Sequence, residues 1–551
     1  MVHIDNPHLD VRVVQCPGFP DQRMGTAGLR KKVKVFQQPH YLECFVQAVL
    51  DTLNLPPGST LVLGGDGRYY NDTAIQTIVR LAAASGTRHL IVGQGGLLST
   101  PAASNLIRVR GAHGGFLLTA SHNPGGPDGD FGIKFNMASG GQAPPQVTDA
   151  VFATSQKLTG YRVAELPPID FGRIGICQIG PVRVEIVDPV DEYQRLMEQL
   201  FDFELIASWL RQGHRVLFDS LHGITGPYAR RILCDSLGAG EDSLLHATPL
   251  PDFGGLHPDP NPVDGRHLVE RCAQPDSPDL VAASDGDGDR NMILGPRFLL
   301  SPCDSVAMML ANLTSIRGYR GGVPGVARSM PTSRALDVVA ADLEIPCFET
   351  PTGWRFFCNL LEAGLIGLCG EESFGTGSSH AREKDGLWAV LLWLNLLAAR
   401  NESLPEIAAA HWRRYGRHYY QRHDYEIADA ARGDDVVKGL RARLNSMAGH
   451  AAGNTSVAIA DDFEYHDPVD GTESPHQGIR IVLGDGSRIV YRLSGTGTMG
   501  ATLRIYVEKF ARDASRLASD PTEVLRPIGE LAAEIADIRR LTGLAAPTMV
   551  V

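Results

Sequence analysis

Three times along this chain a short apolar strand runs into a Gly/Ser/Asp loop and then into an amphipathic helix. In the first copy STLVLGGDGR leads to NDTAIQTIVRLAAA and on to the strand RHLIVGQGG. In the second, HRVLFDSLHG leads to GPYARRILCDSLGA. In the third, GVPGVARSM leads to PTSRALDVVAADL and the strand EIPCFET. Strands alternating with helices at this spacing make βαβ units. Three similar units predict three related α/β domains with mixed, mainly parallel sheets. After about Ala410 the pattern changes to period-2 alternation in GIRIVLGDGSRIVYRLSGTGTMGATLRIYVEKF, with turns at Asp485-Gly486 and Ser494-Gly495. That reads as an antiparallel sheet. The helix-like PTEVLRPIGELAAEIADIRRL follows, so the C-terminal domain is expected to be α+β. The expected domains are 1–190, 191–300, 301–410 and 411–551, which suits 551 residues at roughly 100–200 residues per domain.

Charge and cysteine usage narrow the function classes. A formal charge of -12 argues against a nucleic-acid partner, since phosphate-backbone binding draws on a basic excess. One local basic run, GTAGLRKKVKV, reads either as a solvated face or as a receiver of a small phosphorylated ligand. The nine cysteines contain no C-x-x-C pair, which fits reduced thiols in a cytoplasmic protein. MVHIDNPHLD lacks a signal-peptide pattern. The apolar run Leu387 to Ala399, interrupted only by Asn395, is too short to span a bilayer and reads as a buried helix. No membrane partner is expected.

TASHNPGGPDGDFGIKFN, residues 119–136, places Ser121 in a loop of Gly, Pro, Asn and Asp. A serine hydroxyl needs a base within reach to act as a nucleophile. His122 is next in sequence, where side chains seldom face each other well, and no G-x-S-x-G elbow exists. DGDGDR, residues 285–290, is the strongest local signal. Asp285, Asp287 and Asp289 alternate with glycines that permit unusual backbone angles, so their carboxylates can converge on one cation. All-oxygen ligands favour Mg²⁺. An EF-hand fails, because Arg290 stands where that loop needs Gly and Pro296 where it needs Glu. RLSGTGT, residues 492–498, with Arg504 beyond it, offers a guanidinium, hydroxyls and glycine N–H groups to a phosphate. GEESFGTG puts Glu371 and Ser373 at a strand-to-loop edge, a pairing suited to polyol recognition, and REKDG adds Lys384. No Walker A motif occurs, and GGDGR does not complete a G-x-G-x-x-G.

Taken together and in this order, TASHNPGG, DGDGDR, ETPTGWRFF, GEESFGTG with REKDG, and RLSGTGT resemble the α-phosphoglucomutases of the α-D-phosphohexomutase superfamily. The likeness runs from GTAGLRKKVKVFQ to TGLAAPT, nearly the whole chain. It implies four domains around a central cleft, each supplying one loop. It also implies that Ser121 is carried as a phosphoserine, with Mg²⁺ held by one of the Ser121 phosphate oxygens and by Asp285, Asp287 and Asp289. A phosphate of roughly -2 beside three aspartates and a divalent ion leaves about -3, which Arg290, Arg30 and Lys134 could offset. Phosphoryl transfer asks mainly for positioning and charge neutralisation.

The implied reaction converts glucose 1-phosphate to glucose 6-phosphate through glucose 1,6-bisphosphate. By the same likeness Arg492, Ser494, Thr496 and Arg504 grip the non-reacting phosphate. Glu371 and Ser373 hold sugar hydroxyls, with Thr352, Asp289, Arg290 and Lys384 nearby. Lys134, His122 and Arg30 all remain in play as the general base. Two positions depart from the family pattern. Arg355 replaces a lysine after TPTGW, and Ser379 replaces an acid before the His of GSDH, which is expected to alter loop order near Lys384. Rival readings are a phosphomannomutase, a bisphosphate synthase and a non-catalytic paralogue. GEESFG favours glucose by resemblance, and a paralogue could have lost Ser121 or an aspartate, whereas this chain keeps all four. Small phosphosugars are the expected partners of a monomer or weak homodimer.

Overall fold

The computed structural model describes residues 2–4, 9–25, 27–453, 455–494 and 501–551. Thr496, with the rest of 495–500, lies outside the described residues. The first three units share one sheet topology. In the first, His89–Leu97, Thr60–Gly65, Gly114–Leu118 and Asp130–Met137 lie side by side within an eight-stranded sheet. In the second the same order is Leu244–Leu245, Val216–Asp219, Leu280–Ala283 and Met292–Gly295. In the third it is Cys347–Thr350, Val326–Ser329, Leu368–Gly370 and Thr376–Ser378.

Each set has three parallel strands and a fourth antiparallel to the third. The chain must therefore reverse immediately after the third strand, and the reversing loop stands at the carboxyl end of the parallel strands. In open α/β sheets that end is where ligands bind. The three reversing loops are 119–129, 284–291 and 371–375, which hold TASHNPGG, DGDGDR and GEESFG.

Helix Gly386–Arg400 fixes the second and third units together. Its residues 386–397 are buried, Trp388 and Trp393 among them, so it is apolar all round, as an interior helix must be. Each large side chain buried this way is worth about 1.5–3 kcal/mol. Asp385 caps it by accepting from Trp388 N–H at 3.0 Å. The REKDG loop is thereby tied to the best-packed element of the core.

The last unit is α+β. Its seven-stranded sheet includes the antiparallel neighbours Ile479–Leu483, Arg488–Ser494, Ala501–Ala511 and Arg417–Ile427. Helices Ala430–Met447 and Pro521–Ile535 press Val436, Leu440, Leu525, Ile528 and Ala532 against Ile481, Tyr491 and Ile505. Among the described residues no helix is long and apolar enough to cross a membrane. All nine cysteines are free thiols.

Candidate active site

Ser121 is 2% exposed and sits in left-handed backbone with φ of 54°, a conformation that costs a non-glycine residue on the order of 1–3 kcal/mol. Two anchors hold it there. Thr119 Oγ1 accepts from Ser121 N–H at 2.7 Å and donates to Asp66 Oδ2 at 2.6 Å. Arg68 donates to the Ser121 carbonyl at 2.7 Å and forms a fully buried ion pair with Asp66 at 2.9 Å. Asp66 and Arg68 come from GGDGR, whose role is thus to brace the serine loop. Thr119→Val leaves the buried Ser121 N–H unpaired, which costs about 1–3 kcal/mol, and strips Asp66 Oδ2 of its hydroxyl donor while Arg68 still reaches that oxygen. We expect its urea midpoint to fall measurably below that of the wild type, with retained secondary structure.

The Ser121 hydroxyl donates to Asp285 Oδ2 at 2.7 Å. His122 Nδ1 also approaches it, at 3.3 Å, contrary to the expectation that sequence neighbours would not face each other. The left-handed turn at Ser121 brings the two side chains to one side. Burial, then the charges of Arg290 and Arg30, hold the His122 imidazole well below the usual histidine range, so it is neutral at neutral pH.

Asp285, Asp287 and Asp289 are all buried, and one carboxylate oxygen from each lies within 4.8 Å of the others. Asp285 Oδ1 accepts from Asp289 and Arg290 N–H at 2.9 and 3.0 Å. Thr100 Oγ1 donates to Asp287 Oδ2 at 2.8 Å, and Lys384 Nζ is 3.2 Å from Asp289 Oδ2. Asp287 Oδ1 and Asp289 Oδ1 are buried with no partner. Burial and the charges of Asp287 and Asp289 push the Asp285 carboxyl well up. Three buried carboxylates with two orphaned oxygens fit a hard divalent cation, which would satisfy those oxygens and relieve the repulsion. Glycine is required between them. A Cβ on Gly286 would lie 2.7 Å from the Ser121 carbonyl oxygen, and Gly288 has φ of +80°.

Cations surround this acid cluster. Lys134 Nζ pairs with the buried Glu383 Oε1 at 3.0 Å, and Asn136 and Gln142 donate to the same carboxylate at 2.9 Å each. Arg290 pairs with Asp259 at 3.1 Å. Arg30 is enclosed, with its Nε unpartnered, and burial lowers its pKa. Its neighbours in the basic run are elsewhere, since Lys31, Lys32 and Lys34 pair with Asp21, Asp130 and Asp128. One residue of GTAGLRKKVKV faces the site and the other three are solvated ion pairs.

The third unit contributes Glu371, which accepts from Gly353 N–H at 3.3 Å and whose pKa is raised by burial. Ser373 is half-buried, and Thr352 Oγ1 and Arg355 Nε are buried without partners. Ser379 is exposed. Near Lys384, His380 Nε2 meets Asp385 Oδ2 at 2.9 Å and Tyr193 donates to Asp385 Oδ1 at 2.7 Å, contacts that do not involve position 379. In the last unit Arg492 and Arg504 are directly opposed across two strands. Arg492 reaches the Tyr506 hydroxyl at 3.3 Å, and Arg504 Nε lies 3.8 Å from Asp424. Against the lowering effect of burial, Tyr506 and then Glu372 raise the Arg492 pKa. Ser494 ends the same strand as Arg492.

Family models match this chain as phosphoglucomutase/phosphomannomutase α/β/α domain I over residues 21–162, domain II over 191–297 and domain III over 302–415. A phosphoglucomutase-1 C-terminal domain matches 417–548. A phosphoglucomutase of Rhizobium radiobacter is 51% identical, covering 98% of this chain and 100% of its own. A cytoplasmic phosphoglucomutase of Bromus inermis is 49% identical, with coverages of 97% and 98%. The open form of pp63/parafusin, a phosphoglucomutase from Paramecium, superposes with a TM-score of 0.90 at 44% identity, covering 98% of this chain and 99% of its own. The chain belongs to the phosphoglucomutase/phosphomannomutase family and is an enzyme of the mutase class.

Proposed function

We propose that this chain interconverts α-D-glucose 1-phosphate and glucose 6-phosphate through a phosphoserine at Ser121 and glucose 1,6-bisphosphate. The observation that carries this reading is the 2.7 Å contact between Ser121 Oγ and Asp285 Oδ2, which, among the described residues, joins the one strained serine to the one fully buried carboxylate cluster of cation-binding type. In the forward direction the free 6-hydroxyl oxygen of the sugar attacks the phosphorus on Ser121 as its proton passes to a base at the site, and Ser121 Oγ leaves and takes up a proton. The bisphosphate turns over and returns its other phosphate to Ser121 Oγ, which restores the phosphoserine. Asp285, Asp287 and Asp289 would hold Mg²⁺, which when bound neutralises charge on the transferring group.

The chain's own residues do the rest. Arg30, Arg290, Lys134 and Lys384 place positive charge around an anion that would otherwise be repelled by three aspartates. His122, whose Nδ1 lies 3.3 Å from Ser121 Oγ and whose imidazole is kept neutral by its surroundings, is the group we assign to take the Ser121 hydroxyl proton when the bisphosphate returns its phosphate and to give it back when Oγ leaves. Lys134 stays committed to Glu383. Thr352, Glu371 and Ser373 would receive the sugar hydroxyls. Turning the bisphosphate end over end exchanges its phosphates and roughly exchanges hydroxyls 3 and 4, so one loop serves both poses.

Arg492, Ser494 and Arg504, with Thr496, would clamp whichever phosphate is not reacting. Losing one charge-assisted contact costs roughly 1.5–3 kcal/mol, or about ten- to a hundred-fold. Arg504→Ala should therefore weaken binding of both monophosphates by that factor, read by calorimetry on the dephosphorylated chain. Loss confined to one isomer would contradict a shared clamp. The reading as a whole is tested by a coupled assay with Mg²⁺ and a trace of bisphosphate. Glucose 1-phosphate should turn over faster than mannose 1-phosphate, and the reverse order would assign the chain to mannose.

A further inference from the structure

Asp219 ends the strand Val216–Asp219 and is fully buried, and each of its carboxylate oxygens meets a different imidazole. His246 Nδ1 is 2.9 Å from Oδ1, and His267 Nε2 is 2.7 Å from Oδ2. Leu221 N–H also donates to Oδ1, at 2.8 Å. One donor atom from each of the three residues falls within 4.8 Å of the others. The histidine side chains are 34% and 42% exposed against 0% for Asp219. The cluster is thus closed behind the carboxylate and open to solvent at the rings.

We propose that Asp219, His246 and His267 form a second cation site, one that takes a borderline transition ion such as Zn²⁺ and rejects Mg²⁺. Donor chemistry is the first reason. Two imidazoles and one carboxylate are a set that zinc uses with a water in its remaining position, whereas Mg²⁺ prefers oxygen ligands and keeps its waters. Spacing is the second. With ligand bonds of about 2.0–2.2 Å, neighbouring donors on one tetrahedral ion stand about 3.3–3.6 Å apart, and the three donor atoms here already lie within 4.8 Å of one another, so a shift of about 1 Å in the partly exposed rings would let them share an ion.

Backbone geometry is the third reason. His246 is held in left-handed backbone with φ of 45°, and an observed outlier of this kind is grounds for a functional hypothesis. The residues around it are pinned to the adjacent loop, with Ser220 N–H donating to Leu245 O at 3.1 Å and His222 N–H to His246 O at 3.0 Å. The site draws on different residues from the aspartate triad. The two are joined through backbone, since Ser284 N–H donates to the Asp219 carbonyl at 3.1 Å.

The test is zinc binding by the full chain carrying Asp287→Asn and Asp289→Asn, which disables the triad. Equilibrium dialysis should find one tightly held zinc that excess Mg²⁺ does not displace. His246→Gln and His267→Gln should each weaken its binding at least tenfold. Circular dichroism checks that these partly exposed changes leave the fold intact. Should either variant unfold, X-ray absorption at the zinc edge of the parent must show two imidazole donors. Zinc that is not retained, is displaced by Mg²⁺, is indifferent to both histidine changes, or lacks two imidazole donors would overturn the proposal. The cluster would then be a hydrogen-bonded clamp only.

Discussion

Ser121→Ala is expected to reduce mutase turnover to background, on the order of a million-fold, because in the proposed mechanism Ser121 carries the phosphoryl between the two halves of the reaction. The fold survives. The Arg68 bond goes to the carbonyl and the Thr119 bond to the N–H of residue 121, and neither uses the hydroxyl. Asp285 loses one donor but keeps two backbone N–H groups on Oδ1. Monophosphates should still bind, through the separate clamp proposed at Arg492 and Arg504. A variant that lost binding and turnover together would point to a misplaced loop, and retained turnover would remove Ser121 from the mechanism.

Asp287→Asn comes next in size. The carboxylate faces opposing influences, with burial pushing its pKa up and Lys134, the Thr100 hydroxyl, Lys384 and Arg30 together carrying it below the usual value. It is therefore ionised at working pH and supplies a full charge to a site whose task is neutralisation. Its unpartnered Oδ1 is the oxygen a cation would use. Removing that charge should cost about 4 kcal/mol, on the order of a thousand-fold in kcat. Chelation should silence the wild type and Mg²⁺ should restore it. Full activity after exhaustive chelation would reduce DGDGDR to an acidic turn.

Much of this site is legible in the sequence because its chemistry is local. Asp285, Asp287 and Asp289 alternate within five residues, and the strand before them fixes where they stand. The three-fold repeat is legible for the same reason, since each copy spells out its strand, loop and helix in order. The braces are not local. Asp66 and Thr119 are 53 residues apart, Lys134 and Glu383 are 249 apart, and Tyr193 and Asp385 are 192 apart. Nothing in GGDGR or REKDG announces such a partner. Only the register of parallel strands and the packing of helix Gly386–Arg400 bring them together.

The resemblance marks Ser379 as a departure, but it carries no sign of the His380–Asp385–Tyr193 contacts that brace the same loop from distant parts of the chain. The approach of His122 to Ser121 is hidden in the sequence for a similar reason, since a rule about sequence neighbours assumes ordinary backbone and Ser121 has a left-handed one.

The central claim is that a phosphate resides on Ser121 between turnovers, and mass analysis of the peptide that contains it reads this directly. Wild-type enzyme exposed to glucose 1,6-bisphosphate and Mg²⁺, then digested, should yield that peptide with one added phosphate on Ser121. Glucose 6-phosphate should discharge it. An enzyme that turns over under these conditions while Ser121 is never found phosphorylated would contradict the account.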